Sequence, residues 1–160
     1  MSGDIENMKK QKVEKEIVYE GLGFPIILRN VPMIELRGVW TLDIDLNILQ
    51  KVVLLALAHH PSDITGNQIR FVRNWLSLTQ TEFGKLFGVT HPAVVKWEKT
   101  ENKGSKMNLT TQRDLRLWLL DQLLTNDDDF RRAFKIIHMT DYSQPIEPLE
   151  FDVPINLVAV

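Results

Sequence analysis

The sequence predicts an α+β protein that is mostly α-helical, with a small N-terminal unit of strands and one helix, a five-helix domain and an extended apolar tail. Between residues 17 and 44, short runs of β-branched and aromatic residues are separated by Gly, Asn and Pro, a pattern typical of strands. Between residues 46 and 137, apolar residues recur at intervals of three and four behind residues that cap helices. After residue 143, three prolines argue against a further helix.

Composition and length limit the kind of protein that this chain can form. It has 160 residues, of which 44% are hydrophobic, enough for one ordinary domain or two small ones. No apolar run approaches the about 20 residues of a membrane-spanning helix, and the polar N-terminal region has no signal-peptide core. The absence of cysteine excludes disulfides and cysteine-based zinc sites. We therefore expect a cytoplasmic protein with no membrane association.

The N-terminal part is predicted to contain short strands followed by one helix. The β-rich runs lie at residues 17–19, 24–28, 33–36 and 39–42. The helix is expected from Leu46 to His59, with Asp45 as its N-cap and Pro61 as its end. His59 and His60 lie at its C-terminal end, where positive charge interacts favourably with the helix dipole.

The chain is expected to divide into four segments, because Pro61-Ser62-Asp63 reads as a linker between the strands and the later helices. The segments are a flexible arm at residues 1–16, a β-plus-helix unit at 17–61, a five-helix domain at 62–140 and an extended tail at 141–160. Three helices of the five-helix domain are predicted to open near Thr65, to run from Thr110 or Thr111 through Leu124, and to run from Asp127 to Ile137 behind Asn126 as cap.

The first of two short helices in this domain is marked by its own capping signals. Thr79 and Glu82 have the spacing of a capping box, so a helix should begin at Gln80. Three apolar residues at positions i, i+3 and i+4 form its expected buried face: Phe83, Leu86 and Phe87. Gly88 suits the left-handed conformation that commonly ends a helix.

The second short helix should follow at once. Thr90 is an N-cap residue, and Pro92 is tolerated because it falls in the first helical turn. Val94 and Trp97 are expected to face inward. The side chains that then face outward are His91, Pro92 and Lys96. Two short helices joined by a glycine turn are the layout of a helix-turn-helix, whose second helix fits a DNA major groove.

The charge distribution agrees with this layout. Residues 65–110 carry seven Lys or Arg against three Glu, a net charge of +4, whereas residues 1–64 carry −2 and residues 111–160 carry −4. A basic region centred on a helix-turn-helix is the electrostatic footprint of a DNA-binding protein. Solvated helices also carry Lys and Arg, so charge alone does not decide between the two interpretations.

Several side chains are candidates for contact with DNA. Lys96 can donate to guanine O6 or N7, and His91 can donate to an acceptor on a base edge. Pro92 offers only apolar contact, as with a thymine methyl group. Candidates for phosphate contact are Thr90, Lys99, Lys103 and Lys106. For the loop lysines, a long loop that moves freely in solvent is the competing interpretation.

These motifs resemble the XRE or Cro class of helix-turn-helix proteins over roughly residues 65–109. The resemblance is carried by Arg73, Leu78–Gln80, Phe83–Gly84, Leu86–Thr90 and Trp97–Lys99. It implies that Gln80 bonds a DNA phosphate and orients the recognition helix. It also implies that Arg73 pairs with Glu98 to fix the angle between helices. A homodimer with recognition helices about 34 Å apart would read successive major grooves of double-stranded DNA.

The wider order of elements resembles the MqsA-type antitoxins, which bind a cognate toxin, dimerise and repress their own operon. That family builds its N-terminal half around a four-cysteine zinc site, and this chain has no cysteine, so the zinc is not carried over and we expect no cofactor. The HigA-like antitoxins share the helix-turn-helix without zinc. The resemblance therefore implies a DNA-binding antitoxin that neutralises a toxin and represses its own operon.

The tail beyond Ser143 is apolar and β-prone. Its candidate partner contacts are Phe151, Val153, Ile155, Leu157 and Val158. Such a segment can add a strand to a partner's sheet, pair in a homodimer or pack back on its own domain. It also resembles the hydrophobic extension of antitoxins in toxin–antitoxin–chaperone systems, which implies that a SecB-like chaperone binds residues 145–160.

Two other classes of function remain open at this level. A phage-type or plasmid-type repressor without a toxin would use residues 17–60 to sense a ligand or to dimerise. A protein-interaction module would keep the helix-turn-helix without contacting DNA. The sequence has no nucleophile beside a base, no phosphate loop and no histidine with metal-ligand spacing, so we expect neither an enzyme nor a metal site.

Overall fold

A computed structural model describes residues 10–154, which form six helices and one four-stranded sheet. The elements are β1 (Gln11–Tyr19), β2 (Ile26–Leu36), β3 (Val39–Leu42), α1 (Leu46–His59), α2 (Gly66–Trp75), α3 (Gln80–Leu86), α4 (His91–Glu98), α5 (Leu109–Leu123), α6 (Asp127–Met139) and β4 (Leu149–Asp152). The predicted α+β class is confirmed, and helices hold more of these residues than strands do. Among these residues, no helix has the length and apolar character needed to cross a bilayer.

The central strand of the sheet is β2. β1 runs antiparallel along one side of it, with Tyr19 opposite Ile26. On the other side, β4 lies parallel to residues 26–29 and β3 lies antiparallel to residues 33–36. The C-terminal strand therefore completes a sheet that the N-terminal residues begin.

The sequence predicted two strands where the structure has the single long strand β2, so the expected break at Asn30 and Pro32 was wrong. Residues 30–32 lie between the part of β2 that pairs with β4 and the part that pairs with β3. The left-handed Asn30, at φ 54°, and the proline therefore interrupt no pairing on that side.

The flexible arm predicted at residues 1–16 is corrected for residues 11–16, which belong to β1. The charged side chains that suggested a flexible arm instead contact residues of the neighbouring strands. Glu16 Oε2 accepts from Arg29 Nε at 3.1 Å, and Lys12 Nζ lies 4.4 Å from the ring centre of Trp40. Charged side chains on an outer strand also discourage pairing with other chains. Residues 1–9 lie outside the described part.

The helices other than α5 begin where the sequence predicted. The N-caps are Asp45, Thr65, Thr79, Thr90, Asn108 and Asn126, and each accepts backbone N–H groups of its own first turn. α5 begins at Leu109, slightly before the predicted start, because Asn108 accepts from Thr111 N at 2.8 Å. α6 extends to Met139, two residues beyond the predicted end at Ile137.

One apolar core runs through both predicted halves of the chain. Its fully buried members include Ile26, Leu28, Val53, Leu54, Ile69, Leu115 and Leu119. α1 packs directly on α5, so a helix assigned to the N-terminal unit shares its apolar side with the helix-turn-helix part. The boundary expected at residue 61 therefore does not separate two cores.

A buried arginine fixes the segment that was predicted to be a linker. Arg116, on α5, is 2% exposed. Its guanidinium donates to the carbonyl of Ser62 at 2.7 Å and to Gln112 Oε1 at 3.1 Å, and lies 3.9 Å from the ring centre of Tyr142. We call the following set the Arg116 cluster: Arg116, Gln112, Tyr142 and the carbonyls of Leu57, His60 and Ser62. Burial lowers the pKa of Arg116 to about 10, so it remains charged at neutral pH.

The two histidines at the end of α1 differ from their sequence interpretation. Burial, and then the positive charge of Arg116, lowers the pKa of both His59 and His60. Their Nε2 atoms are buried without a hydrogen-bond partner among residues 10–154. The neutral rings are therefore favoured, whereas the helix dipole had suggested the protonated form.

The tail is extended as predicted, but its first part packs on its own chain. Phe151 and Val153 lie half-buried against the core, and Val153 N donates to Arg29 O at 3.0 Å. Of the open alternatives, residues 145–154 therefore follow the one in which the tail packs back. Phe151 and Val153 therefore contact their own chain, because the edge of β2 at residues 26–29 pairs with this segment, and partner contact at these two residues stays a prediction. Ile155, Leu157 and Val158 lie outside the described residues.

Candidate nucleic-acid interface

α3 and α4 are two short helices joined by residues 87–90. Gly88 has φ +68°, and Gly84 approaches the turn so closely that an added Cβ would lie 2.8 Å from the carbonyl oxygen of Val89. Phe83 is fully buried, whereas Leu86 is 39% exposed, so the predicted apolar side of α3 was wrong at Leu86. Because α3 has only two turns, fewer of its apolar residues are buried than their i, i+3 and i+4 spacing suggested.

The first residue of α2 lets that helix contact the end of α4. A Cβ on Gly66 would lie 2.4 Å from the carbonyl oxygen of Trp97 and 2.8 Å from that of Glu98. Only a residue without a side chain fits this approach. α2, α3 and α4 are thereby brought around a single carboxylate.

That carboxylate belongs to Glu98, whose side chain is 1% exposed. Its Oε1 accepts from Arg73 Nη2 at 2.8 Å and Nε at 3.2 Å, and Arg70 Nε lies 3.4 Å away. Its Oε2 accepts from Gln80 Nε2 at 2.6 Å. We call these four residues, Arg70, Arg73, Gln80 and Glu98, the Glu98 cluster. The geometry agrees with the pairing of Arg73 and Glu98 that the family resemblance implied, and it fixes the angle between α2 and α4.

The roles of two members of this cluster, Arg70 and Gln80, were not predicted from the sequence. Arg70 precedes Arg73 by three residues on α2, a spacing that places both on one side of a helix and could have been noticed. Gln80 was expected to bond a DNA phosphate, but its amide nitrogen is used by Glu98 and its Oε1 lies 3.3 Å from His91 Nε2. No local sequence pattern predicts that Gln80 contacts Glu98 and His91.

The outward surface of α4 is exposed and carries no carboxylate. His91, Pro92 and Lys96 are exposed, whereas Val94 and Trp97 are buried, as their spacing predicted. The only acidic residue of the helix is Glu98, which faces inward. His91, Pro92, Lys96 and Lys99 line a shallow depression of about 480 Å³.

A second depression, of about 600 Å³, lies beside the first. It is lined by four lysines, Lys96, Lys99, Lys103 and Lys106, together with Glu101. Within residues 10–154 none of these lysines is paired with a carboxylate, so their charge is directed to solvent. At the start of α4, the Thr90 hydroxyl accepts from Ala93 N at 3.3 Å, and its own proton is free to donate.

The loop that carries Lys103 and Lys106 is held in place by backbone contacts. Lys106 N donates to Asp63 Oδ2 and Ser105 N donates to Ile64 O, both at 2.9 Å. Asn67 N donates to Glu101 O, also at 2.9 Å. The competing interpretation, a loop that moves freely in solvent, does not fit these contacts. The lysines extend from an anchored backbone.

No protein-family model, curated protein or solved structure matches this chain. Among residues 10–154, no three His, Asp or Glu side chains are arranged to hold a metal ion. The structural indications of a function are therefore the surface chemistry of α4 and of its surroundings.

Proposed function

We propose that this protein binds double-stranded DNA in a sequence-specific manner, with α4 in the major groove. The observation that carries the proposal is the distribution of charge on α4: its basic and aromatic polar side chains face outward, and its one carboxylate faces inward. A duplex presents a dense array of phosphates, so an exposed carboxylate at this place would be repelled. The same helix is short and packs against α2 and α3.

The lysine-lined depression supports the same proposal. Residues that position a protein on DNA contact phosphates, and residues that read sequence contact base edges. Here His91 and Lys96 lie on α4 itself, whereas Lys99, Lys103 and Lys106 continue from its C-terminal end along an anchored loop. A single surface thus supplies both kinds of contact.

The first test removes one base-reading side chain. Duplexes are selected from a random pool, together with the DNA upstream of the gene, and affinities are measured by fluorescence anisotropy. Lys96→Ala should weaken binding to the selected duplex by about 1–3 kcal/mol, because one donor to a base edge is lost. Lys135→Ala, on the exposed side of α6, is the matched control and should bind as wild type does. If wild type binds no duplex at about 50 mM salt, the DNA-binding proposal fails.

A second test counts phosphate contacts. The slope of log Kd against log salt should become smaller in magnitude by about 0.9 in Lys103→Ala and again in Lys106→Ala, because each lysine that neutralises a phosphate releases one counterion. The preference among duplexes should stay the same, since phosphate contacts carry no sequence information. Unchanged slopes would show that these lysines remain solvated in the complex.

At the level of biological role, we infer a cytoplasmic antitoxin that acts as a homodimer, represses its own operon and neutralises a toxin. This inference rests on the family resemblance of residues 65–109 and on the order of the elements. Co-expression with the product of the neighbouring gene tests it: rescue of growth and co-purification support an antitoxin. DNA binding without a toxin partner would instead indicate a plain repressor. Analytical ultracentrifugation tests the dimer.

Chaperone binding is proposed only for residues 155–160, because the preceding segment is part of the sheet. The appropriate comparison is between the full chain and a variant ending at Pro154, which keeps β4. A SecB-like chaperone should bind the full chain and lose most of its affinity for the shortened one. A variant ending at Ser143 would also lose β4, so its effects on folding and on partner binding would be mixed. Equal binding of the full chain and the Pro154 variant would contradict the proposal.

A further inference from the structure

A hydrogen-bond relay connects the buried carboxylate of α4 with the exposed residue that opens the same helix. Glu98 Oε1 faces the two arginines, and its Oε2 accepts from Gln80 Nε2 at 2.6 Å. A carboxylate held by guanidinium groups can only accept hydrogen bonds, so the side-chain amide of Gln80 must turn its nitrogen toward Glu98. The carbonyl oxygen of that amide is then fixed on the other side.

The fixed amide determines which nitrogen of His91 carries a proton. Gln80 Oε1 lies 3.3 Å from His91 Nε2. A carbonyl oxygen has no proton to give, so the imidazole donates and the proton is on Nε2. In the neutral ring, Nδ1 is then bare and can only accept. Nδ1 has no hydrogen-bond partner within residues 10–154, and the ring is exposed on the surface of α4.

We propose that this relay makes neutral His91 a hydrogen-bond acceptor that selects an exocyclic amino group in the DNA major groove. This inference rests on the DNA-binding function proposed above. The amino groups available there are N6 of adenine and N4 of cytosine, whereas guanine presents the acceptors O6 and N7. The sequence had suggested that His91 donates to a base, and the relay reverses that polarity. Gln80 is the positioning residue, and it acts through His91.

The first experiment needs no DNA. Two-bond ¹H–¹⁵N spectra of the full-length protein, recorded at about pH 8 where free imidazole is neutral, distinguish protonated from bare ring nitrogens. We expect Nε2 of His91 to be protonated and Nδ1 to be bare. The Nε2 proton should exchange with water severalfold more slowly in wild type than in Gln80→Met, which keeps the length of the side chain and removes both the acceptor for His91 and the donor to Glu98. Thr81→Met, on the exposed side of α3, is the control and should exchange as wild type does.

The second experiment measures base preference at the same pH. The base pair that His91 contacts is the one whose replacement weakens wild type and leaves His91→Ala unaffected. At that pair, wild type should prefer adenine or cytosine over guanine by about tenfold, the lower part of the 1–3 kcal/mol range for one base contact. In Gln80→Met the ring is free to turn and present Nε2–H, so the preference should fall severalfold. Thr81→Met should keep the full preference.

Each arm has an outcome that overturns the relay. A protonated Nδ1 in wild type, or equal exchange rates in wild type and Gln80→Met, overturns it without reference to DNA. A preference for guanine, no pair that depends on His91, or an unchanged preference in Gln80→Met overturns the assigned specificity. If wild type binds no duplex at all, the proposed function fails, and the NMR arm still decides the protonation of His91. Thermal melting of each variant confirms that it is folded.

Discussion

Two buried charges in this protein are compensated in opposite ways. Arg116 donates to backbone carbonyls in the last turn of α1 and in the segment that follows it, together with one glutamine side chain. Among the partners that residues 10–154 provide, Glu98 accepts only from side chains, which come from α2 and α3. The Arg116 cluster therefore fixes the path of the chain, because its acceptors belong to the backbone. The Glu98 cluster fixes the relative orientation of helices, because its donors are carried by them.

The two clusters also differ in their access to the surface. The Arg116 cluster is enclosed by α1, α5 and Tyr142, and its charge serves the interior alone. The Glu98 cluster continues through Gln80 to His91 on the exposed side of α4. A substitution in the Arg116 cluster should alter stability alone. A substitution in the Glu98 cluster should alter both stability and the surface proposed to bind DNA.

The largest loss of stability is expected on substitution of Arg116, whose charge is compensated by backbone carbonyls. Arg116→Leu leaves two buried carbonyls and one partly buried carbonyl without their donor and should lower the free energy of unfolding by about 3–5 kcal/mol, because each buried polar group left unpaired costs about 1–3 kcal/mol. Arg113→Leu is the control on the same helix. It loses an exposed hydrogen bond to the carbonyl of His138 and a partly buried one to the carbonyl of Thr140, and should cost about 1 kcal/mol. Urea unfolding measures both, and equal losses would contradict the distinction.

A somewhat smaller loss of stability is expected when Glu98, whose charge is compensated by side chains, loses its partner Arg73. Arg73→Ala should lower the free energy of unfolding by about 3 kcal/mol and reduce the melting temperature, because Glu98 stays buried with Arg70 and Gln80 as its remaining partners. Arg70 is half-exposed, so Arg70→Ala should cost under about 1 kcal/mol. A double-mutant cycle with Glu98→Ala isolates the pairwise energy. If Arg73→Ala melts at the wild-type temperature, the cluster is not a structural support.

The smallest expected effect is the loss of stability at low pH that is caused by His59 and His60. Because the pKa of His59 and His60 is lowered in the folded state, the unfolded chain binds protons more readily below about pH 6.5. Their contribution to stability is therefore complete above that pH and is lost as the pH falls through the lowered pKa. Melting curves between about pH 7 and pH 5 should show a smaller decrease in the variant with His59→Gln and His60→Gln than in wild type. Identical decreases would show that other groups cause the change.

The features that the sequence predicted are those with local causes. A capping box at Thr79 and Glu82, a left-handed glycine at Gly88 and an N-cap at Thr90 each depend on neighbours within a few residues. The sequence therefore located both short helices and the outward side chains of α4. The pair Arg73 and Glu98 was predicted through the family resemblance, since nothing local connects residues that lie on different helices.

The features that the sequence missed depend on distant contacts. Arg116 binds backbone carbonyls, which every residue carries, so no residue type between 57 and 62 identifies its partners. The charged residues 11–16 were interpreted as an arm because their pairing with β2 is visible only across the sheet. The amide orientation of Gln80 depends on Glu98, which is eighteen residues away.

The parallel pairing of β4 with β2 has a consequence for synthesis. Ribosomes make the N-terminal strands first, and residues 149–152 emerge only after all six helices. Until then, the nascent chain exposes the backbone edge of residues 26–29 and the apolar residues beside it, which makes premature association a hazard. Emergence of residues 149–152 is therefore the step that closes this sheet, and a chain truncated before Leu149 would keep an open, adhesive edge.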